Sequence, residues 1–512
     1  MLILPMFKIN IKKFNNKNKS KDIINKLFNV LFLALLFLIP LFLKIYFANE
    51  KYFPDNGSYF HMRQISHISK KLVPFFYDEL SYSGRKVVLL PLFDYFMAFL
   101  NKIIPENINY FYTTKIISSL IAIFVFFIVR SFLKNDVAAL FSACGVAFLP
   151  LLFGETIHSV TPLSFSIIIN LLLIYLFVKI ETKEKLFLYI ITLIASILTS
   201  SLVLVFILSM WIFLIFSYTE NFENKNRYFE LGIFSTALVI WAYLIIFKDA
   251  IIAHGSTIFW QGTPLILLKD YLFGFNIKIV AYSTGSISFL AGLYIISKYL
   301  FRKKNDFFYM VFSIILATVI LLFLKLISLK NGLIIMGINI SILSGFFILE
   351  FSKFIEKTNF GKMKSLFLIL IFSLLIINNL SLSLIYTKEN IKNFVSEEKV
   401  KAMNYLKENS EEEAVIMSKI DYGNLITYYA QRKNVIDNNF LLAKDVQTRY
   451  YDIETVYKTI YSVEAIKIMN KYNAGYLLVD NNKEIPKYLK DNECFRLIYN
   501  NTIMLYKLYC KI

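Results

Sequence analysis

Residues 27–47 read LFNVLFLALLFLIPLFLKIYF, an apolar run. A helix rises 1.5 Å per residue, so about 20 such residues cross the roughly 30 Å hydrocarbon core of a bilayer. The run is too long for a secretory signal, and no small-residue cleavage site comes after it. Ten further runs of the same character occur at 113–133, 137–153, 161–179, 186–202, 203–218, 229–247, 285–300, 307–324, 332–351 and 365–386. A twelfth, 87–104, is interrupted by Pro91, Asp94 and Asn101, and reads as interfacial or re-entrant. The expected fold is therefore a polytopic α-helical membrane protein with about eleven transmembrane helices.

Composition agrees. The 512 residues are 57% hydrophobic and 18% charged, against about 45–50% and about 25% in soluble domains. A soluble, disordered or collagen-like chain is excluded. The net charge of +19 fits either a nucleic-acid surface or the Lys/Arg bias of cytoplasmic loops. Its distribution decides for the loops, with no nucleic-acid partner expected. Lys8, Lys12, Lys13, Lys17, Lys19, Lys21 and Lys26 place residues 1–26 in the cytoplasm. Alternation from there puts Lys134, Lys183, Lys185, Lys225, Arg227, Arg302, Lys303, Lys304, Lys353, Lys357, Lys362 and Lys364 inside as well. The pattern breaks if 87–104 crosses.

Three segments then face outward around a membrane domain of 27–386: the loop 48–112, the short 154–160 connection and the loop 248–284. A polar tail, 387–512, is external too. It alternates helix-like stretches (397–409, 462–472) with strand-like ones (413–418, 475–480, 495–499, 503–508), as a small α/β domain does. Asn500-Asn501 between two apolar runs reads as a hairpin turn. Cys494 and Cys510 either pair outside the cell or remain two thiols, and Cys144 lies in an apolar run.

Three polar clusters fall on outward segments. Pro54-Asp55-Asn56-Gly57-Ser58-Tyr59-Phe60-His61-Met62-Arg63 opens the first loop. Asp55 there suits a divalent cation and His61 and Arg63 suit anionic phosphate, or Asp55 or Ser58 merely caps a helix. Gly154-Glu155-Thr156-Ile157-His158 offers Glu155 and His158 as metal ligands or as interfacial polar groups. In the tail, Met417-Ser418-Lys419-Ile420-Asp421-Tyr422-Gly423-Asn424 is a strand ending in a turn, with Arg432 and Asp437-Asn438-Asn439-Phe440 further along. No P-loop, nucleophile elbow, HExxH or dinucleotide fingerprint is present.

This arrangement resembles the catalytic subunit of oligosaccharyltransferase in its single-subunit archaeal form, a divergent AglB-like member of the glycosyltransferase-C type. Asp421-Tyr422-Gly423, with Ile426-Thr427, Arg432 and Asp437-Asn438-Asn439-Phe440, is similar to the family's Trp-Trp-Asp-Tyr-Gly segment with its later Arg and Asp-Asn. Tyr59 to Arg63 resembles the segment after the family's first catalytic Asp, and Lys325 to Gly345 the region of its lipid-contacting Arg. The resemblance implies transfer of a glycan from a polyprenyl-phosphate or -pyrophosphate donor to a protein or peptide acceptor. It further implies a divalent cation (Mg2+ or Mn2+) on Asp55, Glu155 and His158, with Asp55 and Glu155 catalytic. Donor phosphate falls to His61, Arg63 and Lys330, and the acceptor to Asp421, Tyr422 and Gly423. The expected location is the cell membrane.

Departures are visible. Lys419 and Ile420 stand where the family has its Trp pair, so the hydroxyl of an Asn-X-Ser/Thr acceptor loses its indole donors; Lys419 is expected to pair with Asp421 instead. The loop 248–284 has no Glu. Alternatives are a single-sugar polyprenyl-phosphate-dependent transferase, an inactive paralogue, or a transporter or lipid flippase. A transporter would carry ionisable or helix-breaking residues mid-span in internal repeats, and no such repeat is seen.

Overall fold

A computed structural model describes residues 16–48, 52–53, 56–260, 263–264, 267–268, 276–300, 305–391, 394–481, 485–490 and 493–510. Asp55, Asp270 and the basic cluster Arg302-Lys303-Lys304 lie outside the described residues.

All eleven apolar runs are helical, but not all as single rods. Helix α1 spans Asn16–Phe47, and the first long loop then contributes two helices, α2 (Asn56–Lys71) and α3 (Leu92–Asn101). Next come α4 (Glu106–Leu133), α5 (Asp136–Ala147) and α6 (Pro150–Glu155). The 137–153 run thus divides at Phe148-Leu149, because Pro150 lacks the N–H that a continuing helix needs. Among the described residues six helices are long and apolar enough to cross a membrane: Leu27–Phe47, Glu106–Leu133, Lys225–Ile246, Asp306–Phe323, Leu329–Glu356 and Gly361–Ile391. The pair Ile277–Thr284 and Ser286–Tyr299 passes the same test together but is bent by 109°. Gly285 makes the bend: it sits at φ +84°, and a Cβ there would lie 2.2 Å from Asn379 Oδ1. Leu163–Lys179 and Val203–Thr219 are apolar but shorter. The segment 87–104 holds only the ten-residue α3, too short to cross at 1.5 Å per residue.

Burial sorts the helices. The most apolar window of Leu329–Glu356 is 83% buried, whereas those of Leu27–Phe47 and Gly361–Ile391 are 17% buried. The first is the central post of the bundle; the other two turn apolar faces such as Leu38, Phe42, Ile369 and Ile377 outward, as lipid-facing helices do. Helix starts are fixed by side-chain caps, with Asn135 accepting from Ala138 N, Asn305 from Phe308 N and Ser328 from Asn331 N.

The C-terminal part is a mixed five-stranded sheet with flanking helices. Its strands are β3 (Val415–Met417), β4 (Lys433–Asn434), β5 (Ala474–Asp480), β6 (Phe495–Asn500) and β7 (Ile503–Leu508), in the order β4-β3-β5-β7-β6. A two-stranded ribbon, β1 (Tyr77–Asp78) with β2 (Arg85–Lys86), belongs to the first long loop. Strands β3, β4 and β5 pair in parallel, and β6 and β7 form the antiparallel hairpin expected at Asn500-Asn501. The helices Glu397–Asn409 and Ser462–Lys471 lie where the sequence suggested; Val446–Lys458 was not expected. Cys494 and Cys510 are disulfide-bonded across the ends of the hairpin.

The first long loop and the C-terminal domain share one hydrophobic core. Phe53, Tyr59, Met62, Ile65 and Phe93 from the loop pack with Met403, Leu406, Ile416, Tyr422, Leu425 and Ile426 from the domain. This shared core, rather than the membrane bundle, brings the first and third polar clusters together.

Candidate active site

Asn56 is the joint between these clusters. Its side-chain amide donates to Ile420 O at 3.0 Å, and its Oδ1 accepts from Asn424 N at 3.1 Å. The residue next to Asp55 is thereby fastened to both ends of the Asp421-Tyr422-Gly423 segment, 364 residues away in sequence. Ser58 is not a helix cap: its hydroxyl accepts from Val160 N at 2.8 Å, tying the same loop to the end of the second cluster. Phe53 completes the junction by stacking on the His158 ring, with centroids 4.0 Å apart. Three segments distant in sequence thus meet at the start of α2.

The tail segment is held from behind. Gly423 O accepts from Asn434 Nδ2 at 3.0 Å, and a Cβ on Gly423 would lie 2.3 Å from Ile436 O. Tyr422 OH donates to Asp480, which also pairs with Lys399 at 3.5 Å. Burial, reinforced by the Asp480 bond, pushes the Tyr422 phenol well up, so it remains a hydroxyl. Lys419 does not take up the expected pairing with Asp421; its amino group stands over the Tyr457 ring, 5.0 Å from the centroid. Asp437 accepts from Ser81 and forms an ion pair at 3.7 Å with buried Arg85, while Tyr82 OH donates to Asp437 O at 2.7 Å. The Asp437-Asn438-Asn439 stretch is therefore a clasp on the first loop. Arg432 is committed elsewhere, donating to Lys407 O and Ser410 O at the end of Glu397–Asn409.

The residues expected at a donor phosphate all meet carboxylates. His61 lies 2.8 Å from Asp94 on α3. Arg63 grips Asp78 with two bonds of 2.9 and 2.7 Å. Burial alone would raise the Asp78 carboxyl, but the Arg63 guanidinium outweighs it and holds the group below the ordinary value of 3.8. Lys330, on Leu329–Glu356, pairs with Glu155 at 2.7 Å, so an expected phosphate contact and an expected metal ligand do converge, on each other.

His158 is buried and differently engaged. The amino group of Lys115 lies 3.2 Å from its Nδ1. Burial, then Lys115, pushes the imidazole down to about 3, leaving the ring neutral. The other ring nitrogen, Nε2, is buried and has no hydrogen-bond partner. Glu155 is held by Lys330, and among the described residues no three His, Cys, Asp or Glu groups cluster tightly enough to hold a metal ion.

Asn56, Ser81, Arg85, Asp78, Asp94, Asp480, Lys44 and Lys115 were not singled out in the sequence. For the two lysines a signal existed, since ionisable residues within apolar runs mark functional positions by default. For the others, the contacts join segments far apart in the chain.

The sequence matches no protein-family model and no curated protein. Solved structures do match. An oligosaccharyltransferase from Archaeoglobus fulgidus, in complex with Zn and sulfate, superposes with a TM-score of 0.67 at 14% identity, covering 88% of this chain and 68% of that one. The same organism's archaeal oligosaccharyltransferase AglB, with an inhibitory peptide and a dolichol-phosphate, gives 0.68 at 13% identity over 89% and 70%. ArnT from Cupriavidus metallidurans, bound to undecaprenyl phosphate, gives 0.55 at 10% identity over 93% and 97%. The chain shares its fold with these solved structures: several helices long and apolar enough to cross a membrane, followed by a C-terminal α/β domain.

Proposed function

We propose that this chain is a membrane glycosyltransferase that moves a glycan from a polyprenyl-phosphate or -pyrophosphate donor to a protein acceptor, as an oligosaccharyltransferase does. The observation that carries the reading is the Asn56 joint, which ties the residue beside Asp55 to the Asp421-Tyr422-Gly423 segment. An acceptor lying along that segment would come to the mouth of the first loop, where Asp55 is the carboxylate in 51–63. There Asp55 would accept a proton or hydrogen bond from the acceptor amide as it attacks the sugar carbon, and the phosphate would leave as an anion.

In this reading Glu155 with Lys330, and His61 and Arg63 with their carboxylates, frame the donor phosphate; each basic side chain needs only to shift a bond from carboxylate to phosphate oxygen. Mg2+ or Mn2+ is given no step, because Glu155 and His158 are engaged otherwise. The C-terminal domain and the loop 48–112 would face outward, on the side opposite the basic loops. The Cys494–Cys510 disulfide supports that side, since such bonds persist in oxidising compartments.

A second reading, transfer of a single sugar from a polyprenyl phosphate, is favoured by Lys419 and Ile420 in place of the family's Trp pair. Purified protein in nanodiscs, given membrane lipid extract and Asn-containing peptides, decides by mass spectrometry of the products. A peptide carrying the whole glycan, absent with Asp55→Ala, is the expected outcome; undiminished transfer by that variant would make Asp55 a helix cap.

A further inference from the structure

The buried face of α3 fixes how that helix lies. Phe93, Asp94, Met97 and Ala98 are its buried residues. At its start, Leu92 N donates to Leu198 O at 3.0 Å, just past the end of the helix Lys183–Ile197. Phe93 and Phe96 pack on Phe165, in the first turn of Leu163–Lys179, with ring centroids 6.1 and 5.0 Å apart. Toward its other end, Asn109 Nδ2, in the first turn of α4, donates to Met97 O at 3.0 Å and to Asn101 Oδ1 at 2.6 Å. The chain leaves this face of the bundle through α4 and returns through α5 and α6. It leaves and returns once more through Leu163–Lys179 and Lys183–Ile197. The three helix ends that hold α3 are thus on one face, and a helix fastened to all three lies across that face rather than along the bundle.

Its other side is apolar and uncovered. Tyr95, Phe99 and Ile103 recur at every fourth position, and the last two are 61% and 68% exposed. Leu72 and Phe76, in the turn after α2, are exposed as well, and Tyr95 OH donates to Leu72 O at 3.4 Å. At the ends to which α3 is fastened, Ile108 and Tyr112 of α4 and Ile191 and Ile194 of Lys183–Ile197 turn outward too, as lipid-facing residues do. The rim is basic. Lys70 and Lys71 end α2 directly before Leu72, and Lys102 lies between Phe99 and Ile103; all three are exposed. Among the described residues none of the three has an ion-pair partner, unlike Lys86, which holds Asp249. An apolar face flanked by lysines suits the bilayer interface, where apolar side chains enter the acyl boundary and amino groups meet anionic headgroups.

We propose that α3 and the turn 72–77 form an in-plane anchor on the bilayer surface, and that Lys70, Lys71 and Lys102 select anionic phospholipid there. The surface is that of the membrane the bundle crosses, and the anchor is independent of what the chain transfers. It does reach the candidate site: α2 carries Asn56 at its start and Lys70-Lys71 at its end, so headgroups that hold the lysines also hold the helix bearing the Asn56 joint.

Photocrosslinking in the full chain tests this, with p-benzoylphenylalanine in place of Phe99 and nanodiscs of equal phosphatidylglycerol and phosphatidylcholine. Mass spectrometry identifies the adducts. A second probe in place of Ile377, exposed midway along Gly361–Ile391, supplies the reference lipid ratio. The probe at 99 is expected to favour phosphatidylglycerol by about tenfold or more over that reference, since each lysine near an anionic surface brings roughly a fivefold preference. Lys70→Gln, Lys71→Gln and Lys102→Gln together should return the ratio to the reference in a protein that still unfolds cooperatively. An adduct to a second copy of the chain, or a probe that takes no lipid, overturns the anchor. So does equal use of the two lipids by the wild type, or an anionic preference that the triple variant keeps.

Discussion

Gly423 shows how tightly single residues are bound to position at this site. Its backbone is ordinary helical geometry, so its freedom of φ is not the issue; space is. A Cβ would meet Ile436 O at 2.3 Å and the Asp437 Cβ at 2.5 Å. Gly423→Ala is expected to cost about 1–3 kcal/mol, the usual range for an overpacked core, read as a lower thermal midpoint and weaker acceptor binding. An unchanged midpoint would mean that the β4 side of the contact gives way. Lys419 bears on specificity. Because its amino group rests over Tyr457 and no indole N–H stands before Asp421, the site lacks the dry donor pair that reads a hydroxyl. Asn-X-Thr and Asn-X-Ala peptides are expected to be used within about tenfold of each other, since strong rejection needs a hydrogen bond that one substrate cannot make. Rejection of the Ala peptide by a hundredfold or so would show that other residues read the hydroxyl.

At the scale of elements, the ribbon of β1 and β2 behaves as a strap between α2 and the C-terminal domain. Arg63 on α2 holds Asp78 at one end; Ser81, Tyr82 and Arg85 hold Asn434, Asp437 and Asn439 at the other. Asp78 is depressed below 3.8 in the folded state. A group whose folded value lies below its unfolded value stabilises the fold above the unfolded value, and the gain is lost as pH falls through the folded one. The strap should therefore hold across the neutral range and loosen only below about pH 4. Thermal unfolding of wild type against Asp78→Asn, measured from pH 7 downward, checks this: the gap between them should close in acid. A gap that persists at pH 2 would assign the loss to packing rather than to the Arg63 pair. The elements themselves were partly legible. The helix at 397–409 and the β6–β7 hairpin come from local period and turn residues. The Ile426–Ala430 turn and β4 were not legible, because two-residue strands and π-helical turns carry no period to read.

For the whole molecule, the Lys/Arg alternation predicts a cytoplasmic loop at 301–306 and an external tail at 387–512. Reporter fusions at both places test this at once, and a cytoplasmic tail would move every candidate residue to the other face. The sequence by itself determined that the chain is a multi-span helical protein with a small α/β appendix, because hydrophobic runs and loop charges are local and additive signals that need no partner. It also pointed to Asp55, Glu155, His158 and Asp421 as polar residues on segments that could meet. Only the tertiary structure decided what those segments hold. Lys330 closes on Glu155, Lys115 closes on His158, and Asn56 locks the first loop to the Asp421 segment. Each of these joins residues tens to hundreds of positions apart, and hydrogen-bond and ion-pair partners chosen across such distances leave no periodic trace in one sequence. The same physics explains the two buried lysines: an apolar run tolerates one cation without ceasing to look like a span, and only packing reveals that two of them face the same histidine-bearing corner.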